Sequence, residues 1–137
     1  MQFKTPITGT RFEIPDDWWS FAGMDAFTQR GGGFYPYQQC AGTVDIEVVP
    51  LTDVEPPLRD PGISPFKKCK LVPVLFALLS PEGILPPVEV FLAPSGAYRF
   101  KVRNGYHRYY ASVAVGFTKL PIVVCPPPFD FGTWQTP

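Results

Sequence analysis

The only histidine of the chain stands beside an arginine in the stretch RNGYHRYYAS, residues 103–112. His107 and Arg108 follow an Asn-Gly pair, Asn104 and Gly105, so two side-chain donors lie close to a backbone position of unusual freedom. An arginine guanidinium can bind two phosphate oxygens at once, and an unperturbed imidazole titrates near neutral pH. These residue types suit contact with a phosphate group, and His107 could alternatively act as a general base.

A strand and a helix must hold these residues in place. The segment AYRFKVR alternates like a strand and runs directly into Asn104 and Gly105, and a helical pattern follows. A glycine at such a junction lets the backbone come close to a ligand, and a helix start presents amide groups and a positive dipole end. We therefore predict an anion site at Asn104, Gly105, His107 and Arg108. In the alternative interpretation, His107 and Arg108 only cap the helix and cover apolar surface.

The predicted helix, HRYYASVAVGF, has one apolar face and ends near Gly116, its expected C-cap. At helical spacing, Tyr110, Ala111 and Ala114 should turn toward the core. Tyr109 would then point to solvent or to a ligand.

Together with this strand and helix, the domain is predicted to run in the order strand, loop, helix, strand, strand, helix, strand. The strands are TVDIEVVPL, VEVFLA, AYRFKVR and LPIVV, and the first helix is FKKCKLVPVLFALLS. That helix is basic in its first third, and Pro73 lies either in its first turn or at a kink. The four prolines of TDVEPPLRDPGISP predict irregular structure between the first strand and this helix.

Three regions are expected: an aromatic-rich extension at 1–42, a domain at 43–125 and a proline-rich tail at 126–137. Pro15 and Asp16 should open a short helix within the extension. The aromatic side chains of the extension are of the types found at interface centres, but we prefer to place them as extra core. They are Trp18, Trp19, Phe21, Phe27, Phe34, Tyr35 and Tyr37.

Composition limits the classes of function. A chain of 137 residues can build one domain, and 12 basic against 12 acidic residues give a net charge of zero, which argues against non-specific nucleic-acid binding. Cys40, Cys69 and Cys125 form no CxxC pair and are expected to be reduced, buried thiols of a cytoplasmic protein. We expect neither a signal peptide nor a membrane-spanning segment.

Several motifs occur together in an order that resembles the ParB/sulfiredoxin superfamily, from Val44 to Val124. They are a Pro-Leu strand end, a Pro-x-Arg segment, a Gly-x-x-x-Pro before a strand, Gly-x-His-Arg-x-x-Ala, and a closing Gly-x-x-x-x-Pro strand. The resemblance implies an α+β fold with a small mixed β-sheet and flanking helices. It also implies a nucleotide whose phosphates lie at the helix start, on Gly105, His107 and Arg108.

Departures from the superfamily narrow this expectation. Sulfiredoxins carry a cysteine where this chain has Tyr106, so repair of oxidised peroxiredoxin is not expected. Free-serine kinases place a catalytic glutamate where this chain offers Arg59, which is closer to the Pro-x-Arg of ParB-type CTPases. Those proteins continue into a helix-turn-helix module, whereas the 137-residue sequence ends shortly after Val124. We therefore do not expect a DNA-reading module.

The ligand implied is a nucleoside triphosphate or diphosphate of the ATP or CTP class. Arg59 is a second cationic candidate for its phosphates, and its alternative role is a surface arginine stacked on prolines. Glu82 and Gly83 would face the base or sugar, unless Glu82 is a surface charge at a helix end.

An enzymatic version, hydrolysis or phosphoryl transfer, would require Mg²⁺ held by carboxylates. Asp53, Glu55 and Asp60 are the candidates, but acids in loops are more often solvated turn formers, and we predict no metal site. The rival hypothesis is a non-catalytic interaction module with a vestigial nucleotide site. It would form a homodimer or bind a protein partner through the aromatic extension, and neither a membrane nor nucleic acid is an expected partner.

Overall fold

The structure, a computed structural model, describes residues 1–26, 46–58, 66–79, 85–93 and 96–125. Two short 3₁₀ turns, Met24–Ala26 and Leu51–Asp53, lie between the regular elements. The strands are β1 (Gln2–Lys4), β2 (Arg11–Glu13), β3 (Glu47–Pro50), β4 (Val54–Glu55), β5 (Val88–Leu92), β6 (Phe100–Asn104) and β7 (Lys119–Val124). The helices are α1 (Asp16–Phe21), α2 (Lys68–Leu79) and α3 (Tyr106–Ala114).

The central sheet mixes parallel and antiparallel pairs, and its described strands run in the order β3-β7-β5-β6-β4. β3 is antiparallel to β7 and β5 to β6, whereas β5 is parallel to β7 and β4 to β6. The strand β6 and helix α3 supply the long crossover that the parallel pair β5 and β7 requires. The predicted α+β fold with a mixed sheet and flanking helices is confirmed. The segment predicted to be irregular does contain one short strand, β4, which pairs with β6. This strand precedes the prolines of the segment in sequence.

The core joins α2 and α3 to the sheet. Tyr110, Ala111 and Ala114 of α3 are at most 4% exposed, as predicted from their spacing. The prediction that Tyr109 faces solvent or ligand is wrong, since its side chain is 0% exposed. Two consecutive positions of a helix can both be buried when its apolar face is wide, and α3 packs against both α2 and β1.

The strands β1 and β2 form an antiparallel hairpin that the sequence pattern did not predict. Phe3 and Phe12 are partners across it, with ring centroids 5.4 Å apart. Its connection is closed by the Thr5 side chain, whose Oγ accepts a bond from the Thr10 N–H at 3.1 Å. The hairpin thereby places two aromatic rings on the face that covers α3.

The helix α1 begins after Pro15, as predicted. Trp19 is 8% exposed and Trp18 packs against the core, which supports the core interpretation for these two residues. Phe21 is 73% exposed, with the Lys68 ammonium 4.9 Å from its ring centroid. Phe27, Phe34, Tyr35 and Tyr37 lie outside the described residues.

The helix α2 carries Pro73 in its interior, so the alternative that placed this proline in the first turn is wrong. Proline lacks an N–H, which removes the helical partner of the Cys69 carbonyl, but both residues are exposed to water. Cys69 and Cys125 are free thiols, and the exposure of Cys69 contradicts its expected burial. Cys40 lies outside the described ranges. Among the helices of the described residues, none is long and apolar enough to cross a membrane.

Two adjacent tyrosines of α3 allow a matched test of this packing. The Tyr110 hydroxyl donates to the Pro57 carbonyl at 2.6 Å, whereas the Tyr109 hydroxyl is buried without a hydrogen-bond partner among the described residues. Burial raises the pKa of each of these two phenols well above the ordinary value of a tyrosine, so both side chains are neutral at physiological pH. We expect Tyr110→Phe to lower the free energy of unfolding by about 1 kcal/mol, and Tyr109→Phe to leave it unchanged or raise it. Urea unfolding of both variants would show this, and an equal loss in the two would contradict it.

Candidate functional site

The predicted junction of strand, glycine and helix is present. β6 ends at Asn104, and Gly105 caps α3 with φ +129° and ψ 27°. The Gly105 carbonyl accepts the first helical bond, from the Tyr109 N–H at 2.8 Å. Among the described residues, the Gly105 position that caps this helix has no side-chain capping bond.

Gly105 is required by its surroundings as well as by its dihedral angles. A Cβ atom there would lie 2.9 Å from Val88 Cγ1 and 3.1 Å from Val88 Cγ2. Val88 is 2% exposed, at the start of β5, so its methyl groups have little room to move. Packing on β5 thus explains the glycine even before any ligand is considered.

A groove of about 700 Å³ opens in front of this junction. It lies between the end of β6, the first turns of α2 and α3, and the segment that follows β4. Its lining consists of Pro57, Leu58, Lys67, Lys70, Val74 and residues 102–108. The structure therefore brings Asn104, Gly105, His107 and Arg108 to one surface.

The groove is cationic. Lys67, Lys70, Arg103 and Arg108 line it, and none of the described lining residues carries a carboxylate. Arg103 forms an ion pair with Glu89 of β5 at the groove edge, so the Glu89 carboxylate partly neutralises its charge. The two lysines are exposed, and neither was among the predicted site residues.

Two helices begin at this groove. The Lys67 carbonyl accepts bonds from the N–H groups of Lys70, at 3.0 Å, and Leu71, at 2.8 Å, so Lys67 stands at the start of α2. α2 packs against α3, which begins at Gly105 on the same groove. Each helix start carries the partial positive charge of its dipole, which favours an anion there.

His107 links the two helix starts. Its Nε2 accepts a hydrogen bond from the Lys67 backbone N–H at 3.2 Å. Its ring also lies against Phe66, with the centroids 5.9 Å apart, and against Tyr106, at 5.4 Å. An acceptor at Nε2 requires the neutral imidazole with its proton on Nδ1.

Arg108 has a structural role in addition to its place at the groove. Its Nη1 donates to the carbonyls of Pro86 and Pro87, both at 2.7 Å. These carbonyls immediately precede β5, so the guanidinium ties α3 to the strand that packs on Gly105. Removing the side chain would disturb this attachment as well as the groove.

Of the other predicted candidates, the structure describes Asp53 and Glu55. Asp53 pairs with Arg99 at 3.1 Å, and neither Asp53 nor Glu55 lines the groove. Within the described ranges there is no group of three or more histidine, cysteine or acidic residues that could hold a metal ion. Arg59, Asp60, Glu82 and Gly83 lie outside the described residues.

Lys67 and Lys70 were the site residues that sequence reasoning missed. The available signal was the basic start of the helix segment, KKCK at 67–70. Nothing local to that segment indicates that its first turn lies 3.2 Å from a histidine 40 positions away. Lys67 and His107 meet only because α2 packs against α3 in the folded chain.

Comparisons with known proteins found a likeness among solved structures. No protein-family description and no curated protein matches the sequence. Among solved structures, the chain is similar to the C-terminally truncated chromosome-partitioning protein ParB from Caulobacter crescentus complexed with CTP-gamma-S, with a TM-score of 0.48 and 20% sequence identity. The likeness covers 66% of this chain and 49% of that one, so this chain matches about half the length of the ParB structure.

Proposed function

We propose that the groove binds the phosphates of a nucleoside diphosphate or triphosphate of the ATP or CTP class. The observation that supports this most strongly is the convergence of two helix starts, at Lys67 and Gly105, on one groove. Cationic side chains surround it, and no described lining residue is acidic. This is the arrangement that an anion with several charges would require.

The phosphates would lie at the two helix starts. Gly105 brings backbone close to the ligand, and Lys67 and Lys70 add two mobile point charges. Arg108 is held beside them by its bonds to the Pro86 and Pro87 carbonyls. Asn104, Arg59, Glu82 and Gly83 stay predicted contacts of the same ligand.

The rest of the groove suits the nucleoside. Leu58, Val74 and Val102 give it an apolar wall, and Pro57 beside them is fixed by the Tyr110 hydroxyl at 2.6 Å. The volume of about 700 Å³ lies within the range of small-molecule sites. A ribose and base could therefore be accommodated next to the phosphates.

Hydrolysis or phosphoryl transfer would need groups beyond these. Such chemistry uses a metal ion held by carboxylates. Asp53, one of the carboxylate candidates, forms an ion pair with Arg99 instead. Binding is therefore the activity that we propose, with Mg²⁺ as an arm of its test.

Thermal unfolding with a panel of ligands tests the proposal. The panel contains CTP, CDP, ATP and inorganic tripolyphosphate, each with and without Mg²⁺. A ligand present at about 100 times its dissociation constant adds about 2.7 kcal/mol to the stability, which is several degrees in Tm. We expect at least one nucleotide to stabilise the protein more than tripolyphosphate does, because only a nucleotide can use the apolar wall. If no member of the panel raises Tm, the nucleotide proposal is wrong.

A further inference from the structure

One of the cations that line the groove, Arg103, is already paired with a carboxylate, that of Glu89 on β5. We propose that this pair controls anion binding: Arg103 exchanges Glu89 for a phosphate group when a polyphosphate enters the groove. Arg103 is then a ligand contact, and Glu89 is a positioning residue that competes with the ligand for it. This inference rests on the proposed function, because it takes the groove to hold phosphate.

A bulge in the sheet places Arg103 at the groove. On β5, Glu89 lies opposite Asn104 of β6. The next residue of β5, Val90, lies opposite Val102, so Arg103 is an extra residue between the two pairs. Consecutive side chains of a regular strand point to opposite faces, yet Val102, Arg103 and Asn104 all line the groove. Since a bulge redirects a side chain, it explains how three consecutive residues reach one surface.

The pair is exposed enough to exchange partners. The side chain of Arg103 is 51% exposed and that of Glu89 is 31% exposed. An ion pair in contact with water contributes little net free energy, because water hydrates both charges when the pair opens. A polyphosphate carries several negative charges, and its oxygens match the guanidinium fork as well as those of a carboxylate do. A polyphosphate in the groove can therefore compete with Glu89 for Arg103.

Glu89 has a second contact, which the exchange does not remove. The Sγ of Cys125 lies 3.9 Å from Oε1 of Glu89, the same oxygen that accepts the bond from Arg103. The Cys125 N–H donates to the Val90 carbonyl at 2.8 Å, which holds the cysteine beside β5. With this thiol and solvent as donors, the carboxylate keeps hydrogen bonds after Arg103 leaves. The exchange thus creates no buried, unpaired charge.

Three roles for Glu89 lead to different results when its charge is removed. If Glu89 competes for Arg103, neutralisation strengthens anion binding only while Arg103 is present. If Glu89 simply repels the anion, neutralisation strengthens binding equally with and without Arg103. If the pair only holds β5 to β6, neutralisation changes stability and leaves affinity as it was. A double-mutant cycle of Glu89→Gln and Arg103→Gln separates these roles.

The probe is inorganic tripolyphosphate, titrated by calorimetry without Mg²⁺ into wild type, the two single variants and the double variant. We expect Glu89→Gln to bind about fivefold more tightly than wild type, because Arg103 no longer has to leave a carboxylate. Arg103→Gln should weaken binding about twofold in wild type but about tenfold in the Glu89→Gln background. An equal gain from Glu89→Gln with and without Arg103 would overturn the proposal.

Asp53→Asn is the matched control. Asp53 pairs with Arg99 at 3.1 Å, and neither residue lines the groove. The change in net charge is the same as in Glu89→Gln, so we expect an affinity within about twofold of wild type. Equal tightening in Asp53→Asn and Glu89→Gln would show that net charge is responsible and would also overturn the proposal. Melting temperatures of the free variants check that each is folded.

The exchange and the phosphate site can fail separately. The Nε–H signal of Arg103, identified in NMR spectra by its absence from Arg103→Gln, should shift on saturation with tripolyphosphate, whereas that of Arg99 should not. If wild type binds tripolyphosphate without a shift of the Arg103 signal, the exchange alone is wrong. If tripolyphosphate binds neither wild type nor Glu89→Gln, the phosphate site is refuted and the exchange with it.

Discussion

Replacement of Gly105 with alanine is expected to lower the free energy of unfolding by about 3 kcal/mol, or Tm by about 10 °C. Two costs combine in this variant. The φ of +129° is unfavourable for any residue with a side chain, and the new Cβ atom would lie 2.9 Å from a methyl group of Val88. Since Val88 belongs to the buried start of β5, relief of the clash must displace either the sheet or α3.

Gly96 provides the matched control for this prediction. Its φ is +103°, but a Cβ atom there would meet nothing within 4 Å. We expect Gly96→Ala to cost about 1 kcal/mol, which is the backbone contribution alone. Adding Val88→Ala to Gly105→Ala should cost less than the sum of the two single changes, because the smaller side chain removes the clash. Urea unfolding of the four variants measures these differences, and equal losses in Gly96→Ala and Gly105→Ala would show that the contact with Val88 is unimportant.

Neutralising Lys67 and Lys70 together, as Lys67→Gln with Lys70→Gln, should weaken binding of a nucleoside triphosphate about 30-fold. This corresponds to about 1 kcal/mol for each lost contact between an ammonium and a phosphate. Both side chains are exposed, so stability should change by less than about 0.5 kcal/mol. The backbone N–H of Lys67, which donates to His107, is retained in the variant. Calorimetric titration of the nucleotide gives the affinity, and the melting temperature without ligand checks the fold.

The matched control changes two lysines elsewhere, Lys101→Gln with Lys119→Gln. These residues lie on β6 and β7, are exposed, and do not line the groove. The control has the same change in net charge, so its affinity should stay within about twofold of wild type. Equal weakening in the two double variants would mean that net charge, and not the groove, governs affinity. Arg108→Ala is less informative, because loss of its bonds to the Pro86 and Pro87 carbonyls would also lower stability.

The parts of the fold that sequence patterns predicted are those with long, local periodicity. β5, β6 and β7 have alternating or continuous apolar runs of five or six residues, and α3 repeats apolar positions over nine. The hairpin of β1 and β2 escaped because each strand has three residues, too few to establish a period. The burial of Tyr109 escaped for a related reason. The width of the buried face of α3 is set by tertiary packing, since α3 contacts both α2 and β1, which lie far away in sequence.

The site shows the same division between local and distant information. Gly105 and its helix start were predictable because the junction is encoded in consecutive residues. The partners of His107 and Arg108 were not, since they lie 40 and 21 or 22 positions away in sequence. Sequence alone therefore assigned both side chains to phosphate, whereas the structure gives each of them a bond that organises the groove. Lys67 and Lys70 become site residues only through the packing of α2 on α3.

The most direct test of the central claim is to map nucleotide binding onto backbone amides by NMR. Titration of CTP and of ATP into labelled protein should shift the amide signals of Gly105, His107 and Lys68, at the two helix starts, before any others. Binding that instead shifts signals around the separate cavity of about 400 Å³ beside Met1, Trp19 and Met24 would place the ligand elsewhere. That result, or the absence of any shift with either nucleotide, would contradict a phosphate site at the joined starts of α2 and α3.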